Sequence, residues 1–181
     1  VRDGPGATPL PITFLGLTIA TTLYAGFETQ ILPNADFHTV GWLVLAVPVP
    51  LQFVPAVWGL IRGELAAATA SSVLGATWLG LAIATITGPV GAPGPSKAES
   101  LLMFAAAAAL VVSVATEIVD GKLVTAAVFV VAGCRFALTG VSGLTHAEGW
   151  ATAAGVAGFV LAGVAFLGAF FVELRSALRN R

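Results

Sequence analysis

LVTAAVFVVAGCRFALTGVSGL, residues 123–144, is apolar almost throughout, and its one charged residue, Arg135, stands near the middle. A helix rises 1.5 Å per residue, so roughly 20 apolar residues cross about 30 Å of hydrocarbon. This run is long enough to do so, and a soluble core helix has no need of such length.

Five further runs flank it. The sequence predicts spans over Pro11–Phe27, Val40–Ile61, Leu65–Thr87, Leu101–Ile118, Leu123–Leu144 and Trp150–Leu174, the first with room to extend towards Ile31. The connections are short, and the one after the third span carries the turn residues Gly-Ala-Pro-Gly-Pro-Ser. Residues 1–181 therefore read as a single all-α integral membrane domain of six transmembrane helices. The composition agrees: 57% of residues are hydrophobic, 9% are charged and the mean hydropathy is +0.97, whereas soluble domains carry about a quarter charged residues. No space remains for an extramembrane enzyme domain, and a net charge of −1 gives no sign of a nucleic-acid partner. The segment from Val1 to Thr8 does not resemble a signal peptide, so the first span is expected to stay. Cys134 is the sole cysteine and cannot form an internal disulfide.

Orientation follows from basic residues in short loops. With both ends cytoplasmic, Arg2, Arg62, Lys122, Arg175, Arg179 and Arg181 lie inside and only Lys97 outside, so the N-in, C-in topology is expected. Gly59-Leu60 with Glu64, Ala67 and Ala70 recurs as Gly143-Leu144 with Glu148, Ala151 and Ala154. Two halves of three helices would be inverted relative to one another, as in many transporters; Ala/Gly-rich helices also produce such matches by chance.

Arg135 is the most informative position, because an ionisable group at that depth is a functional hypothesis by default. Thr125, Ala132, Arg135, Thr139, Ser142 and His146 share one helical stripe. Such a stripe suits an anion pathway in which the guanidinium attracts a carboxylate; it equally suits a structural pin that binds a neighbouring helix or subunit. Pro48, Pro50 and Pro55 flank Gln52 and should bend or break the second span. The hydroxyls of spans one and three, and Gly155, Gly158, Gly163 and Gly168 of the last span, suit close helix packing. His38, His146 and Glu148 fall in the outer loops, where histidine could confer proton coupling or simply be solvated. No spacing fits a metal site or a cofactor loop, and no lysine lies within a span to hold retinal.

Gly59-Leu60-Ile61-Arg62-Gly63-Glu64, followed by Ala68-Thr69-Ala70-Ser71-Ser72, Gly75 and Trp78, resembles the acetate uptake transporter family, six-helix proteins of about this size. Weaker echoes are Pro9-Leu10, Phe136-Ala137-Leu138 and Gly149-Trp150. The resemblance implies a homo-hexamer whose protomers each pass acetate or similar small monocarboxylates. The family's aromatic constriction would fall on Leu15 and Leu74, and its matching leucine on Ala132, which would replace a narrow aromatic gate with aliphatic and small groups. The expected function is thus a membrane transporter or channel for a small anion, with Leu15, Leu74, Ala132, Arg135 and Thr139 on its pathway. A non-transporting membrane subunit and a neutral-solute channel are the alternatives, and no enzyme is expected.

Overall fold

A computed structural model describes residues 8–90 and 94–179, with the side chains of Glu148 and Arg179 outside the described set. The described residues form seven α-helices: α1 (Leu10–Glu28), α2 (Phe37–Ala46), α3 (Pro48–Arg62), α4 (Leu65–Thr87), α5 (Lys97–Val119), α6 (Leu123–Thr145) and α7 (Glu148–Arg179), with a 3-10 turn at Asn34–Asp36. Since α2 and α3 together make one crossing, six segments are long and apolar enough to span a membrane. Among the described residues there is no strand.

The sequence explains where helices stop. The second span breaks at Val47 (φ −118°, ψ −68°), directly before Pro48, because prolines at 48 and 50 lack the N–H groups that would tie them to the preceding turn. Pro55, by contrast, is carried inside α3. Gly63 ends α3 in the left-handed conformation (φ 75°), which lets Glu64 N donate to Gly59 O at 2.8 Å. Ser96 starts α5 with a reciprocal capping box: its hydroxyl accepts from Glu99 N and its own N–H donates to Glu99 Oε2.

Helices pack chiefly as α1 on α7, α3 on α4 and α5 on α6. Between them lies a core that includes Phe14, Leu17, Leu74, Trp78, Phe129, Ala132, Phe136 and Leu161, all sealed from solvent. Glycine permits the closest approach. A Cβ at Gly158 would stand 2.9 Å from Ala25 Cβ and 3.5 Å from Arg135 Nε, and one at Gly155 would stand 3.1 Å from Glu28 Cβ. Gly168 meets Phe14 and Val128 in the same way, whereas Gly163 has open space beside it and takes no part in packing within the protomer.

The first predicted pathway residue needs correction. Leu15 is 41% exposed and points away from the bundle, while Phe14 beside it is fully buried. Successive helical residues are turned by 100°, so the interior face of α1 is the stripe of Phe14, Leu17 and Thr21 and cannot include Leu15.

Gly158→Ala is expected to lower the thermal unfolding midpoint of the purified protein, equivalent to about 1–3 kcal/mol of overpacking. Gly163→Ala, with nothing beside it, should leave the midpoint unchanged or slightly raised.

Candidate functional site

Three layers of buried side chains succeed one another along the bundle interior. The first is polar and is assembled by the broken span. Gln52 lies between two glycines: a Cβ at Gly16 would be 3.0 Å from its Nε2, and one at Gly75 would be 3.1 Å from its Cβ. Held there, Gln52 Nε2 donates to Thr13 O at 2.9 Å, and the Thr13 and Ser71 hydroxyls share a 2.7 Å hydrogen bond. Proline and glycine thus place an amide and two hydroxyls at the junction of α1, α3 and α4.

The second layer is apolar and aromatic. Phe14 and Phe129 meet edge to face with centroids 5.9 Å apart, and Leu74 and Ala132 are buried with them in one core. Trp78 stands edge-on to Phe136 at 5.5 Å and stacks on Tyr24 at 5.7 Å. The three residues expected at an aliphatic constriction are therefore divided, with Leu15 on the outer surface. Leu74 and Ala132 are interior, but Phe14, Phe129, Trp78 and Phe136 keep the interior aromatic from other positions.

Arg135 forms the third layer. It is 1% exposed, and its Nη2 donates to Glu28 Oε2 at 2.8 Å. Its Nη1 donates to the Thr139 hydroxyl one turn along α6, and Thr139 Oγ1 lies 3.3 Å from Glu28 Oε1. The long guanidinium side chain is accommodated because α7 presents Gly158 beside it. The charge is therefore matched inside the chain, by the last residue of α1. The predicted first span, Pro11–Phe27, stops one residue short of Glu28, because the apolar run ends there. The signal that could have found it is the stripe Phe14, Leu17, Thr21, Tyr24, Glu28, with steps of three and four that bring the carboxylate onto the inward face.

Among the described residues, six buried side-chain polar atoms have no hydrogen-bond partner: Gln52 Oε1, Trp78 Nε1, Ser113 Oγ, both carboxylate oxygens of Glu117, and Arg135 Nε. Buried polar groups are nearly always paired, so an interior with one free acceptor in the first layer, and free donors beyond it, is suited to contact a polar guest.

The remaining predicted residues take local roles. His38 Nε2 lies 3.0 Å from Gly88 O, at the end of α4. His146 closes α6 in the left-handed conformation (φ 51°) and is exposed. The Glu148 side chain lies outside the described residues. Cys134 faces outward. Among the described residues no cluster of three His, Cys, Asp or Glu side chains could hold a metal.

No protein-family model and no curated protein matches this sequence. Among solved structures, the bacterial acetate channel SatP matches with a TM-score of 0.78 at 16% identity, over 97% of this chain and 96% of that one. The chain thus has the fold of that channel from end to end.

Proposed function

We propose that this protein is a membrane channel or transporter for a small anion, with acetate or another short monocarboxylate as its substrate class. The observation that carries the reading is the likeness of fold to an acetate channel over nearly the whole of both chains. Thr13, Ser71 and Gln52 receive the hydrated anion; Phe14, Leu74, Phe129 and Ala132 form the constriction where it sheds water; Arg135 and Thr139 offset that desolvation beyond it. The methyl group of acetate suits the apolar layer and its carboxylate suits a guanidinium. Glu28 already occupies Arg135, so the entering carboxylate takes the place of Glu28 on the guanidinium.

The end bearing Arg62, Lys122 and Arg175 faces the cytoplasm, by the excess of basic residues there. His38, His146 and Glu148 then stand at the outer mouth, where proton coupling would arise. Protomers associate as a homo-hexamer within the lipid, each with its own pathway. A second reading, a channel for a neutral solute, draws support from the Arg135–Glu28 pair itself, because a neutralised charge does not exclude uncharged molecules. The case for a scaffolding subunit is weakened, since Arg135 has its acid within this chain.

Arg135→Ala leaves a buried carboxylate without its counter-ion and should cost about 3–5 kcal/mol of stability. Adding Glu28→Gln should recover most of that loss, as read by unfolding midpoints of the single and double variants. Function is tested by uptake of labelled acetate and of labelled urea into proteoliposomes, with and without a proton gradient. Saturable acetate uptake by the native chain, lost in the stable Arg135→Ala/Glu28→Gln variant, is the expected result. Anion uptake that survives in that variant would remove Arg135 from the pathway, and urea passage without acetate passage would favour the neutral-solute reading.

A further inference from the structure

The two ends of the bundle differ in how they treat a buried carboxylate. On α5 the buried stripe is Met103, Ala106, Leu110, Ser113 and Glu117, with steps of three and four. On α1 the stripe Phe14, Leu17, Thr21, Tyr24, Glu28 has the same steps, and each pair of positions differs by 89 residues. Each stripe ends on a glutamate, at opposite ends of the bundle if every span crosses it. Glu28 has Arg135. Glu117 is fully buried, and neither of its carboxylate oxygens has a hydrogen-bond partner. Ser113, one turn before it on the same face and 1% exposed, also has an unpartnered hydroxyl.

The nearby bases are engaged chiefly elsewhere, and Lys122 reaches Glu117 only as a long ion pair. Arg62 Nε pairs with Glu64 Oε1 at 3.7 Å, and Thr8 donates to the other oxygen of that carboxylate at 2.7 Å. Lys122 Nζ bonds Asp120 Oδ2 at 3.2 Å and stays 4.0 Å from Glu117 Oε2, beyond hydrogen-bond reach. Arg62 thus serves Glu64, while Lys122 divides itself between Asp120 and Glu117 and bonds only the former.

We infer that Ser113 and Glu117 form a binding site for a small monovalent cation of the sodium class. The three unpartnered oxygens are hard ligands, and Ser113 and Glu117 are not bonded directly to each other, so a bridging occupant suits them better than a proton. One carboxylate balances one charge, and among the described residues no cluster of three His, Cys, Asp or Glu side chains is present to hold a metal of higher charge. The site lies in the last turns of α5, whose carbonyl end favours cations, as do helix C-termini that bind sodium in transporters. An open cavity of about 280 Å³, lined in part by Glu64, Thr116, Asp120 and Lys122, adjoins the end of α5; Ser113 and Glu117 lie behind its wall rather than in it.

The test is thermal unfolding of the purified full chain at mildly alkaline pH in sodium, potassium or choline chloride at equal ionic strength, with Glu117→Gln and Ser113→Ala alongside. Sodium should raise the midpoint saturably, potassium less and choline not at all. The shift should vanish in Glu117→Gln and weaken in Ser113→Ala. Equal midpoints of the native chain in sodium and choline would overturn the site without reference to either variant. A sodium shift that persists in Glu117→Gln would also overturn it. So would a midpoint that rises on acidification equally in sodium and choline, which would identify a proton as the occupant.

Discussion

The ion pair between Arg135 and Glu28 is the constraint to which much of the bundle answers. Bringing a guanidinium out of water costs several kcal/mol even after relaxation, and mutual attraction offsets that only when geometry and hydrogen bonds are both good. Three elements must meet for this to happen. The last turn of α1 supplies the carboxylate, α6 supplies the base and the Thr139 hydroxyl, and α7 must come near enough to exclude lipid. The third condition explains Gly155 and Gly158, where a Cβ would collide with α1. Helix association in lipid relies on packing and polar contacts, because apolar burial gives no net drive there. Small residues on α7 and a charge pair between α1 and α6 are thus two parts of one joint.

How much of this was legible in the sequence depends on the kind of information. The spans were readable because hydrocarbon thickness fixes a length and the connections are short, and every predicted span overlaps its observed helix. The break before Pro48 was readable because proline's missing donor acts locally. Leu15 was not, because it was placed by analogy with a family motif, and a shift of one residue on a helix moves a side chain by 100°. The phase of α1's own buried stripe would have chosen Phe14. Glu28 was missed for a different reason: a charge at the end of an apolar run reads as the start of a loop, and only the tertiary approach of α6 shows that Arg135 needs it.

The suggestion of two related halves can be set beside the coordinates at several positions. Gly59 and Gly143 both lie where the second span of a half turns into the third, but their crowding differs: Ala68 of α4, the third span of that half, meets the first, whereas Ser100 of α5, the first span of the other half, and Pro95 just before it meet the second. Glu64 and Glu148 then stand at or just before the start of α4 and α7. The buried stripes of α1 and α5 match in spacing over five positions. The relation is imperfect where charge is concerned, since Gln52 and the prolines of the second span have no counterpart around Arg135 in the fifth. One half breaks its helix to present an amide; the other keeps its helix whole and presents a guanidinium.

That difference bears on how an anion could use this interior. A free guanidinium at depth would bind a carboxylate tightly and release it slowly, whereas a conducting pathway needs sites that can be left as well as entered. Pairing with Glu28 cancels most of the field that would trap the anion. Exchanging one carboxylate for another on Arg135 then keeps the number of buried charges constant, so the large Coulomb and hydration terms nearly cancel between the two states. Glu28 could yield in such an exchange, because it is the last residue of α1 and its side chain is already 13% exposed. Arg135, at 1% exposure, stays where it is. On the proposed function, the cost of passage would be set by the movement of one side chain at the end of a helix and by the width of the aromatic layer before it, and no buried charge would have to be created along the way.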